Sequence, residues 1–241
     1  MYKIAVLTHI YYDGSYDFLK NDLLNFNEFT TDYLFNISID CAQKDKVIES
    51  IQTDFPNAFI IETPNIGKDI GGKLALIDLY LRLKIQSDYM ILLHDKVSPQ
   101  ALNGEEWRDK LLKITKKDTI KTILGLFKSD TSIGVIANQE CILNEYSAET
   151  NSFSTVNNDL LKAAIAQYNI KPTHYSFIAG TMFWVKSNII KDFFSKHPPL
   201  EMRKKLEHGN VLDNLIGTYT HTTERLFGLI AESQGYKIKG V

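Results

Sequence analysis

The chain has 241 residues, 44% hydrophobic, 11% aromatic and 23% charged, with 27 Lys and Arg against 29 Asp and Glu. That composition excludes disordered, collagen-like and low-complexity architectures, and a net charge of −2 gives no general pull toward nucleic acid. No apolar run approaches the ~20 residues of a membrane helix, no signal segment is evident, and Cys41 and Cys141 show no metal or disulfide spacing, so a soluble cytoplasmic protein is expected.

In chain order, Ile4 to Ile10 is a continuous apolar, β-branched run that predicts a strand buried on both faces. Ser15 caps a predicted helix carrying Phe18, Leu19 and Leu23. Tyr33 to Ile39 reads as a second strand, Val47, Ile48 and Ile51 mark a helix, and Ala58 to Glu62 makes a third strand. The turn Asn65 to Gly72 opens a helix with Ile70, Leu74, Ile77 and Leu81 at helical spacing. Tyr89 to Leu93 is a fourth strand, ending in His94-Asp95-Lys96. Strands alternating with helices imply right-handed crossovers and a largely parallel sheet.

Beyond residue 100 the pattern loosens. Asp118 is a candidate N-cap for a helix with Ile120, Ile123, Leu124 and Phe127 on one face, and Ile133 to Ala137 is a short strand. The polar stretch 138–157 is expected to be a loop able to close over a ligand. Asn158 to Tyr168 is helical, Phe177 to Val185 is strand-like, and Ser187 caps Ile189 to Phe194. Glu201 to Gly209 is charged and expected to be exposed. A last helix runs from about Thr222 to Ser233, Gly235 ends it, and Tyr236 to Lys239 is a final strand. With no repeat or linker, one domain over 1–241 is expected.

Open parallel sheets bind ligands outside the carboxyl ends of their strands. Four polar clusters fall there: Thr8-His9 with Tyr11-Tyr12-Asp13, Asn65 to Gly72, His94 to Ser98, and the segment before Glu224. The Gly67-Lys68-Asp69 turn can bring backbone N–H groups to an anion, or it can be a plain strand-to-helix turn. Asp95 can offer oxygen to a divalent metal, or Lys96 can neutralise a diphosphate as a point charge, or the pair can be an ordinary polar turn. Glu224 can be a general base or can offset the exposed N–H groups of a helix start. Glu106-Trp107-Arg108 reads equally as packing or as a ligand contact.

Several stretches resemble the rhamnan synthesis protein F family of bacterial polysaccharide-assembly glycosyltransferases. Asn65-Ile66-Gly67-Lys68-Asp69-Ile70-Gly71 is similar to its Asn-Arg-Gly-Arg-Asp-Ile-Gly loop, and Leu93-His94-Asp95-Lys96-Val97-Ser98-Pro99 to its Leu-His-Thr-Lys-Lys-Ser-Pro segment, with Trp107-Arg108 after it. Ala179 to Trp184 and His221 to Gly228, with Gly235-Tyr236, complete the likeness. The resemblance implies a single-domain, GT-A-like (Rossmann-like) α/β fold with a mostly parallel sheet flanked by helices, residues 1–100 holding the nucleotide sugar and 101–241 the acceptor and catalytic side. It further implies a nucleoside-diphosphate sugar donor, usually deoxythymidine-diphosphate rhamnose, and a glycan or lipid-linked glycan acceptor, with peripheral contact at the inner membrane face.

By position, Glu224, helped by His221, stands where the family's catalytic base would be. Asp95 stands at the metal motif for Mg2+ or Mn2+, but it lacks a second carboxylate, and the family commonly has Thr there. Thr8, His9 and Asp69 are assigned to the nucleotide, and Lys68, Lys96 and the backbone near Gly67 to the diphosphate. Gly180, Thr181 and Trp184 are assigned to the acceptor side, with Trp184 or Trp107 facing a sugar ring, and Asn65, His94, Arg108 and Arg225 to substrate binding in general. The rival reading is a catalytically silent nucleotide-sugar or glycan-binding module. A nucleotidyltransferase is a third.

Overall fold

The computed structural model of the chain describes residues 2–96 and 104–241. Its elements in order are β1 (Lys3–Ile10), α1 (Ser15–Leu24), β2 (Thr30–Ser38), α2 (Lys44–Asp54), β3 (Phe59–Thr63), α3 (Lys68–Arg82), β4 (Tyr89–His94), α4 (Gly104–Leu112) and α5 (Lys117–Ser129). There follow β5 (Ile133–Ala137), β6 (Ile142–Asn144), β7 (Tyr146–Ser147), β8 (Ser152–Phe153), α6 (Asn158–Gln167), β9 (Ser176–Ile178) and β10 (Phe183–Lys186). The chain ends with α7 (Ser187–Phe194), α8 (Pro199–Arg203), α9 (Tyr219–Ser233) and β11 (Lys237–Gly240).

Seven strands from both halves of the chain form one sheet in the order β11-β5-β10-β4-β1-β2-β3. Every neighbouring pair is parallel except β10, which runs antiparallel to both β4 and β5. This is the expected α/β architecture. Ile4, Ala5, Val6 and Leu7 are fully buried, as helices on both faces of a parallel strand require. No helix among the described residues is long and apolar enough to cross a membrane.

The departures are local and have physical causes. Gly14, with φ 71°, precedes α1, so Ser15 is not its cap, and the Ser15 hydroxyl turns to Asp95 instead. Likewise α5 starts at Lys117, leaving Asp118 in its first turn, where a carboxylate still favours the dipole. Ser187 is the first residue of α7, and its hydroxyl bonds that of Ser87 at 2.8 Å. The 138–157 stretch is largely ordered: β6 pairs with β9, and β7 and β8 form a small hairpin. Its turns are made by side chains, Asn138 accepting from Glu140 N and Asn144 from Tyr146 N, which leave no hydrophobic period to read. The Phe177–Val185 run breaks at Gly180-Thr181, both left-handed at φ 76° and 49°, so β9 leaves the main sheet and β10 joins it. Glu201 to Gly209 is charged but not uniformly exposed. Met202 and Leu206 are buried, and Arg203 donates to the carbonyls of Gly71 at 3.0 Å and Pro64 at 2.7 Å, fastening α8 over the start of α3.

Candidate active site

The carboxyl ends of β1, β2 and β4 place His9 beside Asn36 on one side and beside His94 on the other, in register. Above this row lies α3. Gly72 rests against the His9 imidazole so closely that a Cβ there would sit 2.4 Å from the ring, which only glycine permits. His9 Nδ1 meets the Asn36 amide nitrogen at 3.0 Å, and burial lowers its pKa to about 4. His9 is therefore a neutral packing residue beneath α3, and its assignment to the nucleotide is corrected. Thr8 is also fully buried, its hydroxyl unpartnered among the described residues, so it too cannot touch a ligand as placed.

One turn into α3 is the residue the sequence reading missed. Lys73 is fully buried and its ammonium makes three bonds, to Asp69 Oδ2 at 3.0 Å, His94 Nδ1 at 2.9 Å and Thr181 Oγ1 at 2.5 Å. The Thr181 hydroxyl in turn donates a hydrogen bond to Asp69 Oδ2 at 2.7 Å. Burial alone would raise the Asp69 pKa, yet the Lys73 charge and the hydrogen bonds from Thr181 and Lys73 hold the carboxyl far below the ordinary range. Burial and then Lys73 push His94 well below its usual value. His94 is thus neutral, accepting at Nδ1 and carrying its proton on Nε2. The signal for Lys73 was present: a lone cation in the apolar run Ile70 to Ile77, four residues after Asp69.

Glu224 approaches the same cluster from α9. This helix begins at Tyr219, three residues earlier than expected, which moves Glu224 out of its first turn. The helix start is satisfied by others. Thr218 Oγ1 accepts from His221 N, and the Glu207 carboxylate accepts from Tyr219 N at 2.7 Å and Thr220 N at 3.0 Å. Glu224 Oε1 instead accepts the Gly180 N–H at 2.8 Å. Gly180 is left-handed, and a Cβ on it would come within 2.7 Å of Leu111, so the turn needs glycine to aim this N–H. Burial, then the negative Asp69, raise the Glu224 pKa against the pull of Gly180, Arg225 and Lys73.

Lys68, left-handed at φ 52°, is half-buried, and burial lowers its pKa; it lies within electrostatic reach of Asp69, Lys96, Asp213 and Glu224. His221 Nδ1 is 2.6 Å from Thr218 Oγ1 and its Nε2 is 3.7 Å from Asp213, a second partner missed in the sequence. Gly180 bonds Glu224, Thr181 and His94 lie against Asp69, and Lys68 lies within electrostatic reach of Asp69, Lys96, Glu224 and His221.

Other assignments do not fit. Trp184 is fully buried, its indole N–H donating to Ile114 O at 3.0 Å and its ring against Phe26, so it is a core residue and offers no face to a sugar. Arg225 is spent on a two-pronged pair with Glu145, at 2.6 and 2.8 Å, and on His221 O. Arg108 lies over the Phe18 ring, while Trp107 is part-buried beside Gly180. Asn65 braces Asn210 at 3.1 Å, leaving its buried Oδ1 unpartnered. Val97, Ser98 and Pro99 of the fourth-strand motif lie outside the described residues.

Asp95 also has another task. It is buried, and its Oδ2 accepts from Tyr11 N at 2.8 Å, Tyr12 N at 2.6 Å and Ser15 Oγ at 2.6 Å. Burial nonetheless lifts its pKa to about 6. Three donors commit Oδ2 and no second carboxylate bonds beside it, which leaves Asp95 only Oδ1 for a Mg2+ or Mn2+ ion. Among the described residues no cluster of three His, Cys, Asp or Glu side chains forms a metal cage.

The carboxylate and the buried ion pair stand at the strand ends, the place where open α/β sheets bind their ligands. The model of the family described as rhamnan synthesis protein F matches residues 1–236, and the chain belongs to that family. A comparison with curated protein sequences gives no match. Among solved structures the chain is similar to a mannosyltransferase from Pyrobaculum calidifontis in complex with GDP-Man and Mn2+, at 12% identity and a TM-score of 0.48, over 98% of this chain and 54% of that one. It is also similar to TarS 1–349 from S. aureus in complex with UDP, at 11% identity and a TM-score of 0.44, over 96% of this chain and 65% of that one. The chain therefore spans about half to two thirds of the length of these two proteins.

Proposed function

We propose that the chain is a glycosyltransferase that moves a sugar from a nucleoside-diphosphate donor to a hydroxyl of a growing glycan, with inversion, using Glu224 as the base. The observation that carries this is the position of Glu224. It has no capping duty, its pKa is raised, and one N–H holds its carboxylate within electrostatic reach of the half-buried Lys68. Raising the pKa of a carboxylate makes it a stronger base toward a proton within hydrogen-bond reach.

In this reading Glu224 accepts the proton of the acceptor hydroxyl as that oxygen forms its bond to the anomeric carbon. The bond from that carbon to the diphosphate breaks, and the diphosphate leaves with the electron pair. Lys68 and Lys96 meet its charge at the start of α3, aided by backbone N–H groups there. No step is routed through a metal, because Asp95 is committed elsewhere. His221 positions the acceptor side, and Trp107 is the aromatic residue left to face a sugar. Family membership supports a donor carrying rhamnose on deoxythymidine diphosphate, and a polysaccharide or lipid-linked acceptor met at the inner face of the membrane.

The test is incubation of the pure chain with labelled nucleotide sugars, after a thermal-shift screen across nucleoside diphosphates to rank the base. Slow donor hydrolysis, or transfer to added glycan, supports the reading. Binding without turnover identifies a silent nucleotide-sugar module and ends it.

A further inference from the structure

A second concave site lies away from Glu224, between α6 and the β7–β8 hairpin. It is an open cleft of about 360 Å³. Tyr146 lines it and stacks on Tyr175 with ring centroids 3.8 Å apart at 13°, while the Tyr146 hydroxyl donates to Asn151 Oδ1 at 2.8 Å. Asn169 adds a second amide, and the exposed Lys162 and Lys171 lie on its wall. No acidic side chain lines the cleft, and neither lysine has a carboxylate partner among the described residues.

The backbone around this cleft is held in conformations that side chains disfavour. Asn151, Asn169 and Tyr175 have φ of 46°, 50° and 60°, half of the six non-glycine residues with positive φ among those described. Asparagine tolerates this region, but for a bulky residue such as tyrosine it is costly and persists only where the surroundings impose it. Here Glu232 imposes it. Buried on α9, it accepts the N–H groups of His174 at 3.1 Å, Tyr175 at 2.8 Å and Ser176 at 3.2 Å. Glu232 stands eight residues after Glu224, roughly 12 Å along the helix at 1.5 Å per residue. The hairpin is fixed to the same helix, because Glu145 pairs with Arg225, the neighbour of Glu224. One helix therefore carries both the candidate base and the carboxylate that shapes the backbone beside the cleft.

We infer that this cleft holds a distal stretch of the acceptor glycan and prefers a chain bearing negative charge. Aromatic rings offer apolar faces to the C–H side of a sugar ring, amides bond its hydroxyls, and two unpaired lysines meet uronate or phosphodiester groups. The inference rests on the glycosyltransferase reading for the word acceptor, but not for the binding itself.

The experiment applies the labelled full chain to an array of defined neutral, uronate-bearing and phosphodiester-bearing oligosaccharides at low and high salt. Wild type binds the anionic members, with the uronate and phosphodiester arms telling the two charge sources apart, and loses the signal as salt rises. Lys162→Glu with Lys171→Glu, both at exposed positions, lowers that binding at least about tenfold, roughly the worth of one charge-assisted contact. Tyr146→Ala lowers binding of every member, with circular dichroism verifying the fold. Binding that both variants leave unchanged, or an array with no bound member, overturns the inference. Donor turnover with a silent array removes the cleft alone. Array binding without donor turnover removes the transfer reading and leaves the cleft standing.

Discussion

Replacing Glu224 by Gln tests the central assignment with little structural change. The Gln carbonyl can still accept the Gly180 N–H that Glu224 Oε1 accepts at 2.8 Å, so the Gly180-Thr181 turn stays in place. What disappears is the base, worth about 10² to 10⁴ in rate, or roughly 3–5 kcal/mol of barrier. The expected result is a kcat reduced by that factor, with donor affinity, measured by calorimetry, almost unchanged. The pH profile should change with it. A base works only when ionised, and burial together with Asp69 raises the Glu224 pKa. Wild-type turnover therefore falls as pH drops through a value above that of an ordinary glutamate, and the variant loses that acidic limb. Stability moves the other way. A carboxyl whose folded pKa lies above its unfolded one destabilises the fold at pH values above both, so the neutral Gln should hold Tm or raise it. A kcat loss below about tenfold, or an equal loss of donor affinity, would refute the base assignment.

Lys73→Met should cost about 3–5 kcal/mol in urea unfolding, because it strands ionised Asp69 in a buried site, while adding Asp69→Asn should recover part of that loss. Turnover should persist in excess EDTA, and Asp95→Ala should lower stability by about 1–3 kcal/mol by freeing the Tyr11 and Tyr12 amides and the Ser15 hydroxyl. Abolition of turnover by EDTA would return Asp95 or another group to a metal. Trp184→Ala should lose about 3–5 kcal/mol of stability, as emptying a filled core site does. Trp107→Ala should spare Tm and raise the acceptor KM, and the opposite pattern would exchange the two roles.

The fold was legible where one kind of force dominates. Parallel strands buried on both faces write unbroken apolar runs, so β1 and β4 could be read within one residue and β2 within three, and α3 announced itself by period. The antiparallel β10 could not be read, because strand direction is set by where the chain arrives and not by which residues it carries. The 138–157 hairpin escaped for a related reason: asparagine side chains build its turns, and they leave no period. In the site, position at a strand end picked out His94, Asp69 and Glu224 but could not separate residues that face a ligand from those that face the core. His9, Thr8 and Trp184 sit within a residue or two of site positions and point inward. Asp95 looked like a ligand because a carboxylate at a strand end usually is one, and only coordinates reveal three donors already on it. Lys73 failed the opposite way, hidden as one cation inside a hydrophobic stripe.

The buried Lys73–Asp69 pair is hard to explain as a source of stability, since withdrawing two charges from water costs about as much as their attraction returns. Its geometry gives a better reason. Thr181 Oγ1 accepts from Lys73 and donates to Asp69, which locks the side chain of a residue whose backbone is left-handed. That lock holds the Gly180-Thr181 turn in the one conformation that presents the Gly180 N–H to Glu224. The same ammonium fixes His94 in a single tautomer, and the same Asp69 charge raises Glu224 toward the range where a base is useful. The pair therefore acts on the candidate base twice, once through a hydrogen-bonded turn and once through space. The conformational strain at Thr181 and the desolvation of Lys73 are then two costs of one arrangement, the placement and tuning of a single carboxylate.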